Sequence, residues 1–191
     1  MPAAAHALPF WRDLFVHRPW ALLVWPVVAM VAGLLGAWLL GPASRNLAIV
    51  PRTASGLLGV ATAPFLHANL AHLAANLPPF VVLGALVLRR GGDRFVETGV
   101  IVALGSGVLV WLLARRGAHQ GASGVVFGFL GYLLGLGWFR RTTSDLLIGA
   151  LVLVVYGGLL VGLKPARTRT SWEAHLFGFV VGLVKVWWLR R

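Results

Sequence analysis

The sequence predicts an all-α protein built from six membrane-crossing helices. Three observations lead there. Of the 191 residues, 59% are hydrophobic, against about 45–50% in an ordinary soluble domain, and mean hydropathy is +0.84. Apolar stretches near or above the roughly 18 residues that mark a membrane helix recur along the whole chain. The basic residues fall in short groups between those stretches: Arg89-Arg90, Arg115-Arg116, Arg140-Arg141 and Arg190-Arg191. Interfacial anchors of membrane helices sit in such places.

The same grouping sets aside nucleic acid as a partner. The net charge is +12, but it forms no stripe along one face, which a nucleic-acid footprint needs. No cysteine is present, so disulfide and thiolate chemistry are excluded. The length fits one helical domain, residues 20–191, after a short cytoplasmic segment 1–19.

Taken in order, the expected spans are Trp20 to Leu40, closed by Gly41-Pro42; Asn69 to Leu88; Phe95 to Ala114; Ala122 to Phe139; Leu146 to Leu163; and Ala174 to Leu189. Each has about 16–22 residues, near what a helix needs to cross the hydrocarbon core. The first is too long for a signal-peptide core and no small-residue cleavage site follows it, so it reads as an anchor. With the amino terminus inside, Arg12, Arg18, Arg89, Arg90, Arg94, Arg140, Arg141, Lys185, Arg190 and Arg191 lie on the inner side. Arg45, Arg52, Arg115, Arg116, Lys164, Arg167 and Arg169 lie outside. Ten against seven favours both termini in the cytoplasm. Residues 41–66 form the one long connection and read as an interfacial or re-entrant segment. Gly124/Gly128 and Gly131/Gly135 in the fourth span and Gly178/Gly182 in the sixth have GxxxG spacing. That spacing strips side chains from one helix face, so these two spans are expected to be neighbours.

Polar residues inside apolar spans are costly and are functional candidates by default. His6 and His17 precede the first span and need no special role. His67, His72, His119 and His175 all fall at span ends on the outer side. His72 and Asn76 share a helix face, being four residues apart. Pro78 and Pro79 follow in the same span and should kink it, freeing carbonyls near Ala74 and Ala75. Ser123 opens the fourth span, where a helix amino terminus favours developing negative charge. His175 stands near the start of the sixth. A serine nucleophile needs a base, and its acyl-transfer step needs oxyanion donors. Ser123 with His175 meets the first need; His72, Asn76 and the Ser123 backbone N–H meet the second. Alternatively, Ser123 is a small residue at a close helix contact, and the histidines and Asn76 are polar glue between helices.

A third, acidic member is not available. Asp13, Asp93, Glu97 and Asp145 lie on the inner side. Glu173 is near His175 but points about 200° away round the helix. Any hydrolase here works with a Ser–His dyad. A metalloprotease on the four histidines lacks HExxH and a nearby acid, so no metal and no cofactor is implied. Six spans permit a transporter, but no repeat or charged pathway supports one.

Three segments resemble the signatures of the rhomboid intramembrane serine proteases: "GASG" at 121–124, "HANLAHLAAN" at 67–76 and "AHLFGFVVG" at 174–182. They occur in the family's order on the expected spans, over residues 20 to 190. The resemblance implies a six-transmembrane-helix rhomboid bundle that cleaves transmembrane segments of other membrane proteins. Ser123 then matches the nucleophile, His175 the general base, and His72 and Asn76 the oxyanion residues. Gly121 matches the small residue before the nucleophile, Gly124 the one after it, and His67 a structural histidine of the first loop. Gly178 and Gly182 match the glycines that seat helix six on helix four. The partners implied are substrate helices and the lipid bilayer of a bacterial cell. A catalytically inactive relative that binds client helices is the alternative. The first loop lacks the family's frequent Trp-Arg pair, although Arg52 lies there, and the Pro78-Pro79 pair is not expected. His119 has no counterpart and reads as an interfacial residue, as does Gln120.

Overall fold

A computed structural model describes residues 18–165 and 170–189. The amino-terminal segment, with His6, His17 and Asp13, lies outside the described residues, as do Arg12, Arg167, Arg169, Arg190 and Arg191 of the orientation count. The described chain is helical throughout, with seven α-helices. These are α1 Pro19–Leu40, α2 Ala54–Thr62, α3 Leu70–Leu88, α4 Gly92–Leu113, α5 Ser123–Arg140, α6 Thr143–Tyr156 and α7 Trp172–Trp188. Three 3-10 segments join them: Gly41–Leu47, Ala63–Phe65 and Gly157–Leu163.

Five of these elements are long and apolar enough to cross a membrane: Pro19–Leu47, Leu70–Leu88, Gly92–Leu113, Ser123–Arg140 and Thr143–Leu163. The expected count of six is not reached on that measure, because α7, with 17 residues, falls short in length. The fifth span is found at Thr143–Leu163, with one change of helix type. Its α-helix stops at Tyr156 and tightens into a 3-10 segment. The reason is local: Gly157-Gly158 removes side-chain restraint where the apolar run continues.

The helix starts follow from capping chemistry. Asn69 Oδ1 accepts the His72 N–H at 2.8 Å, Thr142 Oγ1 accepts the Asp145 N–H, and Ser171 Oγ accepts the Ala174 N–H. Pro78 and Pro79 lie inside a continuous α3. Their missing donors deprive the Ala74 and Ala75 carbonyls of the usual helical bonds.

The core sits around α5. Of its span, 72% is buried, against 11% for the α1 and α6 spans, so α5 is the axis and the other two are outer walls. The apolar side chains that α1 and α6 turn outward, such as Trp25, Leu39, Leu147 and Val154, suit lipid, where exposure of hydrocarbon costs nothing. Phe80, Phe95 and Phe129 form the aromatic centre where α3, α4 and α5 meet.

α5 and α7 are neighbours, as the glycine spacing predicts. An added Cβ at Gly178 would strike the Gly124 carbonyl, and one at Gly182 the Gly128 carbonyl. Main chain thus rests on main chain along this seam.

The opposite end of the bundle from Ser123 is tied by charge. Asp145, buried at the start of α6, pairs with Arg90 and with Arg140 at 3.7 Å, and accepts the Thr142 hydroxyl at 2.6 Å. At the same end, Lys185 of α7 meets Glu97 of α4 at 2.9 Å.

Candidate active site

Ser123 is the first residue of α5, and its placement begins with the turn before it. Gly121 has φ +113°, a conformation few L-residues adopt. A Cβ there would lie 2.7 Å from His72 Nε2, so Gly121 keeps open the space that the His72 ring faces. The Gly121 N–H donates to the Ala63 carbonyl at 2.8 Å, pinning the turn to the long connection. No side chain caps α5. The first bond inside it runs from the Val126 N–H to the Ala122 carbonyl, so the N–H groups of Ser123, Gly124 and Val125 have no intrahelical acceptor.

His175 enters from α7. Its Nδ1 lies 3.1 Å from the Gly162 carbonyl. A carbonyl only accepts, so Nδ1 carries the proton, and in the neutral ring Nε2 keeps its lone pair. The ring stacks on Phe127, centroids 4.1 Å apart and planes within 7°. Phe127 is one helical turn after Ser123 and shares its face. Stacking on Phe127 therefore holds the His175 ring over the face that Ser123 occupies. Both residues line one cavity of about 1200 Å³, together with His72, Asn76, Gln120 and Ser171.

His72 and Asn76 stand on the α3 wall of that cavity. The Ala68 N–H approaches His72 Nδ1 at 3.5 Å, which leaves Nε2 as the protonated, donating nitrogen of the neutral ring. Asn76 Nδ2 donates one hydrogen to the His72 carbonyl at 2.8 Å and retains a second. Ala75 and Pro79 lie along the same wall.

His67 stands behind this wall, fully buried. Its ring meets His72 edge-on at 5.1 Å. Nδ1–H donates to the Phe65 carbonyl at 3.4 Å and Nε2 accepts the Ala122 N–H at 3.5 Å. Burial, reinforced by His72 and opposed by the Phe65 carbonyl, lowers its pKa to about 4. His67 is thus a neutral strut between the long connection and the turn before Ser123.

His119, read as interfacial, is buried, 5% exposed, and lines the same cavity; its backbone pairs in both directions with Ile49, at 2.9 Å each way. Gln120 beside it lines the cavity. Glu173 turns from His175, as the helical angle requires, and meets Arg115 Nε at 3.3 Å.

Several residues escaped the sequence reading. Phe127 was findable, since it follows Ser123 by four. Ser171 was findable as a cap before an apolar run. Gly162 and Arg115 carry no local signal; each acts through an atom brought from a distant segment. Two separate residues tether the long connection. Arg52 Nη1 donates to the Leu112 and Ala114 carbonyls at 3.0 and 2.9 Å, and Trp111 Nε1 donates to the Thr53 carbonyl at 2.8 Å. Together they fasten the long connection to the end of α4. Among the described residues, no three of His, Asp and Glu gather in a metal-holding group.

Residues 54–191 match the family described as Rhomboid domain. The chain belongs to the rhomboid family. Relatives include uncharacterized proteins of Mycobacterium tuberculosis and Mycobacterium bovis, each 43% identical over 150 residues, covering 74% of this chain and 62% of theirs. A protein named Rhomboid-like protein 11, chloroplastic, from Arabidopsis thaliana is 31% identical over 154 residues, 68% of this chain and 51% of its own. The chain therefore spans less than two thirds of the length of these relatives. Rhomboid membership and five apolar spans make it a multi-pass integral membrane protein.

Proposed function

We propose that this rhomboid is an intramembrane serine endopeptidase that cleaves transmembrane segments of other membrane proteins. The observation that carries the reading is one arrangement: Ser123 at an uncapped helix start, sharing a cavity with a histidine whose Nδ1 is already committed to the Gly162 carbonyl. In this mechanism His175 Nε2 takes the Ser123 hydroxyl proton as Oγ bonds to the substrate carbonyl carbon. The oxyanion is met by the Ser123 N–H, the spare Asn76 hydrogen and His72 Nε2–H. The peptide C–N bond then breaks, His175 returns its proton to the leaving amine, and water repeats the sequence on the acyl-enzyme. The substrate helix must unwind first, because a helical peptide bond is hydrogen-bonded and shielded.

α7 serves as the sixth span in this reading and completes a six-helix bundle. Its support is the seam with α5, which sets α7 at the depth of a helix long enough to cross. Both termini then face the cytoplasm of a bacterial cell.

Ser123→Ala should abolish cleavage of a model transmembrane substrate while the protein still folds. A fluorophosphonate probe should label wild type at Ser123. Normal cleavage by the alanine variant would refute the mechanism. Binding of client helices without any cleavage by wild type would favour an inactive, client-binding rhomboid.

A further inference from the structure

We propose that His119 is a positioning residue that sets the relation between Ser123 and His175 through its hydrogen bond to Ser171; this rests on the protease reading above. His119 lies four residues before Ser123, and Ser171 four before His175. The bond between them therefore joins the loop that delivers the nucleophile to the turn that delivers the base, outside the reacting atoms.

The geometry determines the protons. His119 Nε2 is 3.0 Å from the Arg115 carbonyl, which only accepts, so Nε2 bears hydrogen. In the neutral ring, Nδ1 is then an acceptor, and the Ser171 hydroxyl donates to it at 2.6 Å. The same oxygen accepts the Ala174 N–H at 3.3 Å as the cap of α7. Every polar atom of the pair is thus satisfied; His119 is 5% exposed, Ser171 is half-buried, and both stand at the wall of the cavity. The His119 backbone is held by Ile49 on both sides, so the ring has a fixed base from which to act. A second anchor runs parallel. Arg115 donates to the Thr170 carbonyl at 2.7 Å and pairs with buried Glu173 at 3.3 Å. Residues 115–119 thereby grip the start of α7, at Thr170 and Ser171 before it and at Glu173 in its first turn.

The glycine seam fixes how far α7 stands from α5. At the end that carries His175, the polar grip adds a restraint on rotation and sliding of α7, and an error of about 1 Å in a reacting pair costs on the order of 100-fold in rate.

The test compares cleavage by wild type, His119→Ala, Ser171→Gly, Ser171→Thr and the double variant His119→Ala/Ser171→Gly. Active sites are counted with a covalent serine probe, so that kcat refers to folded enzyme alone. Glycine keeps most of the capping benefit, and threonine keeps the hydroxyl. The expected result is a kcat lowered about 10-fold by His119→Ala and by Ser171→Gly, with KM unchanged and Ser171→Thr close to wild type. The double variant should be no worse than the poorer single one, as for two ends of one interaction. Wild-type kcat per active site in either single variant, or losses that multiply in the double, would overturn the proposal. Silence of wild type itself overturns the protease reading instead, and the proposal with it.

Discussion

Gly178→Ala places a methyl group against the Gly124 carbonyl. Its carbon would lie 2.9 Å from the Gly124 carbonyl carbon and 3.2 Å from its Cα, where ordinary contacts between carbons are about 3.5–4.0 Å. Neither side can yield by changing a rotamer, because both are main chain. The helices must part by about 1 Å, and overpacking of this kind costs about 1–3 kcal/mol. The displacement is also catalytic in place. Gly178 is one turn from His175, and Gly124 follows Ser123, so the parting enters the Ser123–His175 distance directly. Cleavage should fall on the order of 100-fold. Gly36→Ala is the internal control. Nothing lies within 4 Å of its added methyl, and alanine should stabilise α1 by about 0.5–1 kcal/mol. Thermal unfolding in detergent micelles reads the stability, and cleavage per titrated site reads the alignment. If Gly178→Ala matches Gly36→Ala in both, the seam is not the contact that aligns the pair.

Other substitutions separate the two ends of the bundle. Asp145→Asn leaves Arg90 and Arg140 without their acid and should lower stability by about 1–3 kcal/mol; kcat per active site should stay unchanged, because this cluster is remote from Ser123. Arg52→Ala removes two hydrogen bonds to the end of α4 and should cost about 1–2 kcal/mol, with faster proteolytic nicking of the 41–66 connection as the readout. His67 gives a pH signature. Its folded pKa of about 4 lies below the ordinary histidine value of 6.5, so between those values the unfolded chain binds the extra proton. Stability is full above pH 6.5 and declines as pH falls toward 4. The thermal midpoint of wild type should drop more between pH 7 and 5 than that of His67→Gln, and equal slopes would exclude His67 as the source.

What could be read in advance follows the range of the signal. α1 was expected over Trp20 to Leu40 and spans Pro19–Leu40, because Pro19 suits the first helical position and Gly41-Pro42 closes the apolar run locally. α3 was legible to one residue because Asn69 is both its cap and a polar break. The α5–α7 seam was legible because spacing of four is a property of each helix alone. The break at Gly157 was present in the sequence but masked, since hydropathy continues through Leu163 while backbone geometry does not. Within the site, Ser123, His72, Asn76 and His175 announced themselves as polar residues in apolar spans, and the structure brings all four to one cavity. The burial of His119 was not legible, and no local pattern encodes its backbone pairing with Ile49, seventy residues away. Gly162 contributes a carbonyl, which every residue has, so its identity gives no hint of the role.

The seam of Gly178 on Gly124 has one further consequence, for thermal motion. Glycine has no side chain, so the joint has no rotamers to sample and loses no side-chain entropy when it closes. A leucine-packed interface breathes as its side chains hop between wells. Here the separation of the two helices is set by hard contact between backbones. The gap between Ser123 and His175 should therefore vary less with temperature than distances elsewhere in the bundle.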